Sequence, residues 1–258
     1  MSTAGAVHYE SDGTVARITF DRPEARNAMT WAMYQQLAGA LDRLEDEEPR
    51  VCVLRGAGGH FVAGTDIAQF ESFASGEDGV KYERMIEDVL SLLEDVPVPT
   101  IAAVEGNAAG AGLLIAACCD IRIATADARF SAPIARTVGN TLSLANHARL
   151  VACLGPSRTK GLIMTAGVLD AEEAVAAGFV HSIATVAEFQ QRLDELVARV
   201  AALAPLSVRA TRLMVKRVTE ALAQGADDDL LREVYGSRDF REGVSAFREK
   251  RAPNWEGR

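Results

Sequence analysis

Two short stretches of small residues sit where backbone groups could do chemistry. Phe61-Val62-Ala63-Gly64-Thr65-Asp66-Ile67 follows the glycine-rich turn Gly56-Ala57-Gly58-Gly59. Glu105-Gly106-Asn107-Ala108-Ala109-Gly110-Ala111-Gly112 is a turn that feeds a helix. Small residues let backbone N–H groups approach a ligand closely. Two such groups, one from a turn and one at a helix N-terminus, can hold negative charge developing on a carbonyl oxygen. Either stretch could equally be an ordinary turn. Neither fits the G-x-G-x-x-G dinucleotide pattern or a phosphate loop, which needs Gly-Lys-Ser/Thr.

A third stretch, Glu242-Gly243-Val244-Ser245-Ala246-Phe247-Arg248-Glu249-Lys250-Arg251-Ala252-Pro253, lies near the end of a faintly basic tail. Residues 205–258 carry 11 basic and 9 acidic side chains, a local +2 on a body of −11. That excess is either a solvated helical face or a site for an anionic ligand. The remaining reactive side chains make no cluster. His8, His60, His147 and His181 are scattered, and Cys52, Cys118, Cys119 and Cys153 form no C-x-x-C pair. A zinc or iron site is not expected, and buried reduced thiols are.

These residues belong to a chain of 258 with a formal charge of −9, 48% apolar and 24% charged residues. That composition excludes disorder, and the acidic balance argues against nucleic acid as a partner. The longest weakly polar run, 108–119, is far short of the ~20 residues needed to cross a bilayer. No basic and apolar leader opens the chain, so a cytoplasmic location is expected.

The elements that must position the candidate groups alternate. Val15 to Phe20 reads as a strand with Ala16, Ile18 and Phe20 on one face. Thr30 is the expected N-cap of a helix carrying Met33, Leu37, Leu41 and Leu44. Val51 to Arg55 is a short strand. A helix over 79–94 turns Met85, Ile86, Val89 and Leu93 inward. Thr100 to Val104 and Ile121 to Ala124 are strands on either side of a helix of small residues over 110–119. Strand–helix alternation from 15 to 185 predicts an α/β core. After Thr185 the pattern is helical: 186–203, 206–224, 227–235 and 239–250.

Taken together and in order, these segments resemble the crotonase family, the enoyl-CoA hydratase/isomerase superfamily. The resemblance runs from Arg22-Pro23 and Arg26-Asn27-Ala28-Met29 through Ala63-Gly64-Thr65-Asp66-Ile67 and Gly106 to Gly112. It continues through Cys119-Asp120-Ile121-Arg122-Ile123-Ala124, Ala171 to Gly178, and the tail stretch. It implies an α/β fold, a ββα spiral core over residues 1–200 that binds acyl-CoA. It also implies a helical region over 201–258 for trimerisation and coenzyme A contacts. The expected assembly is a homotrimer or a hexamer built as a dimer of trimers. The expected ligand is an acyl-CoA thioester, with no cofactor beyond the coenzyme A of the substrate. By motif position, the N–H groups of Thr65 and Ala111 are the oxyanion donors, with Ala111 standing where the family usually has Gly. Arg26, Ala28, Ala63, Asp66 and Ile67 fall where the family lines the coenzyme A path, although Asp66 is equally an N-cap candidate. Lys250 and Arg251 match the tail's basic pair, which can approach coenzyme A phosphates or simply be solvated.

One departure matters. The family's hydratases use two glutamates to position and deprotonate a water and return a proton to the α-carbon. Leu114 and Ile134 occupy those two positions. No carboxylate occurs from Phe130 to Leu169 to replace them. Asn140 could orient a water, His147 could act as a base, and Glu71 or Asp78 could reach the pocket from a loop. Three readings follow: a hydratase or isomerase with relocated acid–base chemistry, another reaction of the family (thioester hydrolysis, decarboxylation or C–C cleavage), or a non-catalytic acyl-CoA-binding homologue. Across these readings, acyl-CoA binding is expected, with hydratase activity on simple 2-enoyl-CoA weak or nil.

Overall fold

A computed structural model describes residues 5–258. A six-stranded sheet organises the chain, with strand order β1-β2-β3-β4-β6-β9. Its strands are β1 (Ala6–Ser11), β2 (Val15–Asp21), β3 (Val51–Gly56), β4 (Thr100–Val104), β6 (Ile121–Thr125) and β9 (Ser182–Ala184). The β1–β2 pair is an antiparallel hairpin, and every later pairing is parallel. A second, three-stranded sheet has the order β5-β7-β8: β5 (Asn107–Ala109), β7 (Arg129–Ser131) and β8 (Val168–Asp170).

The parallel strands are buried on both faces, as their apolar runs require. Alternate residues serve two cores. Cys52 and Leu54 join Ala16, Ile18 and Phe20 in the larger one, together with α1 (Trp31–Glu47), α2 (Gly76–Asp95) and α3 (Ala111–Cys118). Val51 and Val53 face the other way, onto Phe189, Leu193 and Leu196 of α7 (Phe189–Ala201). Thr30 caps α1 as expected, its Oγ1 accepting from the Met33 N–H.

Between β7 and β9 the chain forms a single turn, α4 (Ile134–Thr137), the long α5 (Leu144–Met164), bent at Gly155-Pro156, and the short α6 (Ala171–Ala176). Then come α8 (Pro205–Glu220), α9 (Asp228–Gly236) and α10 (Arg238–Glu249). The tail helices form near the expected places, but α9 and α10 do not stand off the core. Leu231, Tyr235, Phe240 and Val244 pack with Phe70, Val80 and Val138 in a third apolar cluster. Only α8 behaves as an outlier: none of its residues is buried. It is held by ion pairs from Arg212 to Asp120 at 2.6 Å and from Lys216 to Asp95.

Candidate active site

The two small-residue stretches lie side by side. The Val62 N–H donates to the Asn107 carbonyl at 3.2 Å and the Ala109 N–H to the Val62 carbonyl at 2.9 Å, a short parallel pairing. Just beyond it the chains turn at Gly64 and Gly110, both in the left-handed region with φ of 107° and 51°. A Cβ on Gly110 would sit 3.6 Å from the Gly64 Cα, so the two turns touch. Glycine permits that conformation without a steric penalty. Thr65 and Ala111 follow directly. Among the described residues, the backbone N–H of neither is spent on the hydrogen bonds around it: Asp66 donates to Met29, Gly110 to Ser131, and Leu114 to Gly110. Ala111 opens α3, where the first N–H groups of a helix have no internal acceptor.

The Thr65 side chain is pinned from two sides, by the Tyr34 hydroxyl at 2.7 Å and the Tyr82 hydroxyl at 2.8 Å. Burial pushes both phenols up from their ordinary range, so they remain neutral hydrogen-bonding groups.

Both turns open onto a cavity of about 420 Å³. One end of it is walled by Ala28, Ala63, Asp66 and Ile67 together with Arg22. Asp66 takes the N-cap role, its side chain accepting from the Ala68 N–H at 3.1 Å, and it also pairs with buried Arg22 at 2.8 Å. Arg26 is exposed and outside the cavity lining; what it contributes is a carbonyl that accepts from the Ala63 N–H.

The tail pair lies apart from the cavity lining, which α10 reaches through Phe247 instead. Lys250 caps α10 in a left-handed conformation. Arg251 is engaged locally, with Glu242 through two contacts and with Glu249 at 2.6 Å.

Leu114 and Ile134 are buried and both line the cavity, so its wall is apolar at both positions. Two loop carboxylates singled out from sequence lie elsewhere. Glu71 is exposed. Asp78 is spent on the N-terminus of α2, accepting from the Ala74 and Ser75 N–H groups. The reason is local: a Ser three residues ahead of an acid makes a capping box. His147 sits in the first turn of α5 with its Nδ1 3.0 Å from the Ser143 carbonyl, outside the cavity lining.

The far wall holds a carboxyl that the motifs do not mark. Glu83 of α2 lines the cavity, yet is only 3% exposed. Its Oε1 accepts from the Tyr235 hydroxyl at 2.7 Å and its Oε2 from the Ser143 N–H at 2.8 Å. Desolvation raises its pKa from the usual carboxylate range to about 7, against the opposing pull of those donors. Asn140 lines the same wall and donates to the Tyr235 hydroxyl at 3.0 Å.

A family model described as enoyl-CoA hydratase/isomerase matches residues 10–258. The chain belongs to that family. It is 32% identical over 247 residues to the short-chain-enoyl-CoA hydratase of Clostridium acetobutylicum, covering 94% of each chain. It is 34% identical over 256 residues to a human mitochondrial enoyl-CoA hydratase domain-containing protein 2, covering 96% of this chain and 87% of that one. Among solved structures, a methylmalonyl-CoA decarboxylase in complex with 2-nitronate-propionyl-CoA superposes with a TM-score of 0.89 at 28% identity, over 98% of both chains. The crotonase fold expected from the motifs is therefore the fold of this chain.

Within the family frame, the motif residues Thr65, Ala111, Leu114, Ile134 and Asn140 come together on one cavity, along with Ala28, Ala63, Asp66 and Ile67. Arg26, Lys250 and Arg251 do not join them. Glu83 and Tyr82 do, and Tyr235 stands behind the lining as the hydroxyl donor to Glu83; sequence reasoning passed over Glu83 and Tyr235. One signal could have found Glu83: it stands three residues before Ile86 on the inward face of an amphipathic helix, an acid where an apolar residue is expected.

Proposed function

We propose that this chain is an acyl-CoA-processing enzyme that works through a thioester enolate rather than by two-glutamate hydration. Thr65 and Ala111 would give their N–H groups to the thioester oxygen as negative charge grows on it. Losing one donor of this kind typically costs on the order of 10²–10³ in rate. Ala28, Ala63 and Ile67 would border the coenzyme A path, leaving the acyl group to reach the wall made by Leu114, Ile134 and Asn140. Coenzyme A enters as part of the substrate.

The observation that carries this reading is the pairing of apolar side chains at 114 and 134 with two neighbouring turns whose N–H groups remain unspent. Hydration needs one group to deprotonate water and another to protonate the α-carbon; neither Leu nor Ile can do either. Adding the protein to crotonyl-CoA should leave the conjugated-thioester absorbance nearly constant while calorimetry records binding. Decay at the rate of an ordinary hydratase would overturn the reading.

Decarboxylation of a 2-carboxyacyl-CoA has a specific point in its favour. It generates the enolate by losing CO₂, so it asks for the oxygen-stabilising donors and one later protonation, and the methylmalonyl-CoA decarboxylase neighbour has the same overall shape. Release of CO₂ from methylmalonyl-CoA tests it directly.

We also propose that the molecule assembles through α8, as a homotrimer or a pair of trimers. Leu206, Met214, Val215 and Val218 of that helix are between 60% and 80% exposed. Apolar groups exposed together in this way favour a protein interface.

A further inference from the structure

We infer that Glu83 is the proton-transfer group of this cavity, delivered from α2 and held by Tyr235 and Ser143, in place of carboxylates at positions 114 and 134. The inference rests on the acyl-CoA reading above and assigns the chemistry of its far wall.

The geometry supplies what such a group needs. Glu83 lines the cavity, its Oε1 held by the Tyr235 hydroxyl and its Oε2 by the Ser143 N–H. Among the described residues, the only other carboxylate on the cavity wall, Asp66, is ion-paired with Arg22. The anchor also tolerates both protonation states. With Glu83 ionised, the Tyr235 hydroxyl donates to it. With Glu83 protonated, the same hydroxyl can turn to the Thr141 carbonyl 3.1 Å away and accept from Glu83, so no polar group is orphaned. Asn140 keeps a buried Oδ1 without a partner among the described residues, beside this network. It is an acceptor for a water or a ligand hydroxyl next to the transferred proton.

The groups facing Glu83 favour a shared proton. Tyr34 of α1, Tyr82 of α2 and Tyr235 of α9 are neutral, and the Asp227 carboxylate adds repulsion. Arg149 of α5 stops short, donating to the Asn146 Oδ1 and to Glu87 and Glu94. A general base works best with a pKa near the working pH, and the value of about 7 meets that condition.

The step is a proton exchange. The α-carbon C–H bond breaks, its electron pair moves to the thioester oxygen as enolate, and the proton passes to the Glu83 carboxylate; the reverse delivers it back.

Incorporation of deuterium from D₂O into the α-carbon of butyryl-CoA, followed by mass spectrometry, reads this step alone. The wild-type protein should exchange, with a rate that climbs as pH rises through about 7. Glu83→Gln should lose ~10²–10⁴ of that rate and its pH inflection while still binding butyryl-CoA. Tyr235→Phe guards against a variant that fails to fold: it removes a donor to the carboxylate, so it should slow exchange at neutral pH and move the inflection to higher pH, the rate recovering above it. Equal rates and inflections in wild type and both variants would overturn the role of Glu83 alone. Absence of exchange in wild-type protein that binds butyryl-CoA would overturn the enolate reading together with it.

Discussion

A carboxyl group introduced at position 114 or 134 would enter an apolar part of the cavity wall, within the same space as the Thr65 and Ala111 turns. The two positions therefore make a direct test of what the site lacks. Leu114→Glu with Ile134→Glu should raise crotonyl-CoA hydration by ~10²–10⁴ over the wild-type level, the usual worth of general acid–base groups, as measured by loss of the conjugated-thioester absorbance. No gain, in a folded variant that binds coenzyme A thioesters, would mean that the orientation of the thioester differs from the one proposed. At this scale the sequence was informative wherever function rests on the backbone. Thr65 and Ala111 follow glycines whose spacing is legible; Leu114 is found by its place in the glycine-rich helix, Ile134 by the Pro133 before it and Asn140 by the polar stretch that follows. Glu83 was not legible, because its burial depends on a hydroxyl 152 residues away. The tail arginine shows the opposite, local case: Arg251 finds its acids, Glu242 and Glu249, close in sequence and is engaged by them.

Among the elements, α2 and α9 are fitted together by the absence of side chains. A Cβ on Gly79 would lie 2.1 Å from the Tyr235 ring, and one on Gly76 would lie 2.0 Å from the Arg232 carbonyl. Gly79→Ala should cost ~1–3 kcal/mol by overpacking, read as a lower denaturation midpoint. It should also displace the Tyr235 ring, so acyl-CoA processing ought to fall more than thioester binding does. An unchanged midpoint would show that α9 can slide along α2 without loss. The strands and amphipathic helices of the core were readable because each carries its own period: Ala16, Ile18 and Phe20 alternate, and Met33, Leu37, Leu41 and Leu44 repeat along a helix. The short strands Asn107–Ala109, Arg129–Ser131 and Val168–Asp170 were not, since three residues carry no period and exist as strands only through each other. The docking of α9 and α10 onto α2 was equally hidden; their amphipathic pattern announces an apolar face but not its partner.

For the whole molecule, the exposed apolar side chains of α8 are the main surface still to be explained. Light scattering on the purified protein should give a mass of three or six chains. Met214→Glu with Val218→Glu should reduce it to one, because two charges would be buried in the contact. A wild-type mass of one chain would remove α8 as an interface. No helix among the described residues is long and apolar enough to cross a membrane.

The order in which the chain is made gives the Glu83–Tyr235 contact a further meaning. A ribosome delivers residues from the N-terminus onward, and domains generally begin to fold during synthesis. The turns at Gly64 and Gly110 emerge early and can pair as soon as their strands do. The Glu83 carboxyl must wait for the far longer stretch up to α9, hydrated and without its hydroxyl anchor. If Glu83 carries the proton as inferred, a nascent chain holds the two paired turns before it holds the anchored carboxyl, and the proposed exchange begins only when the last helices are in place.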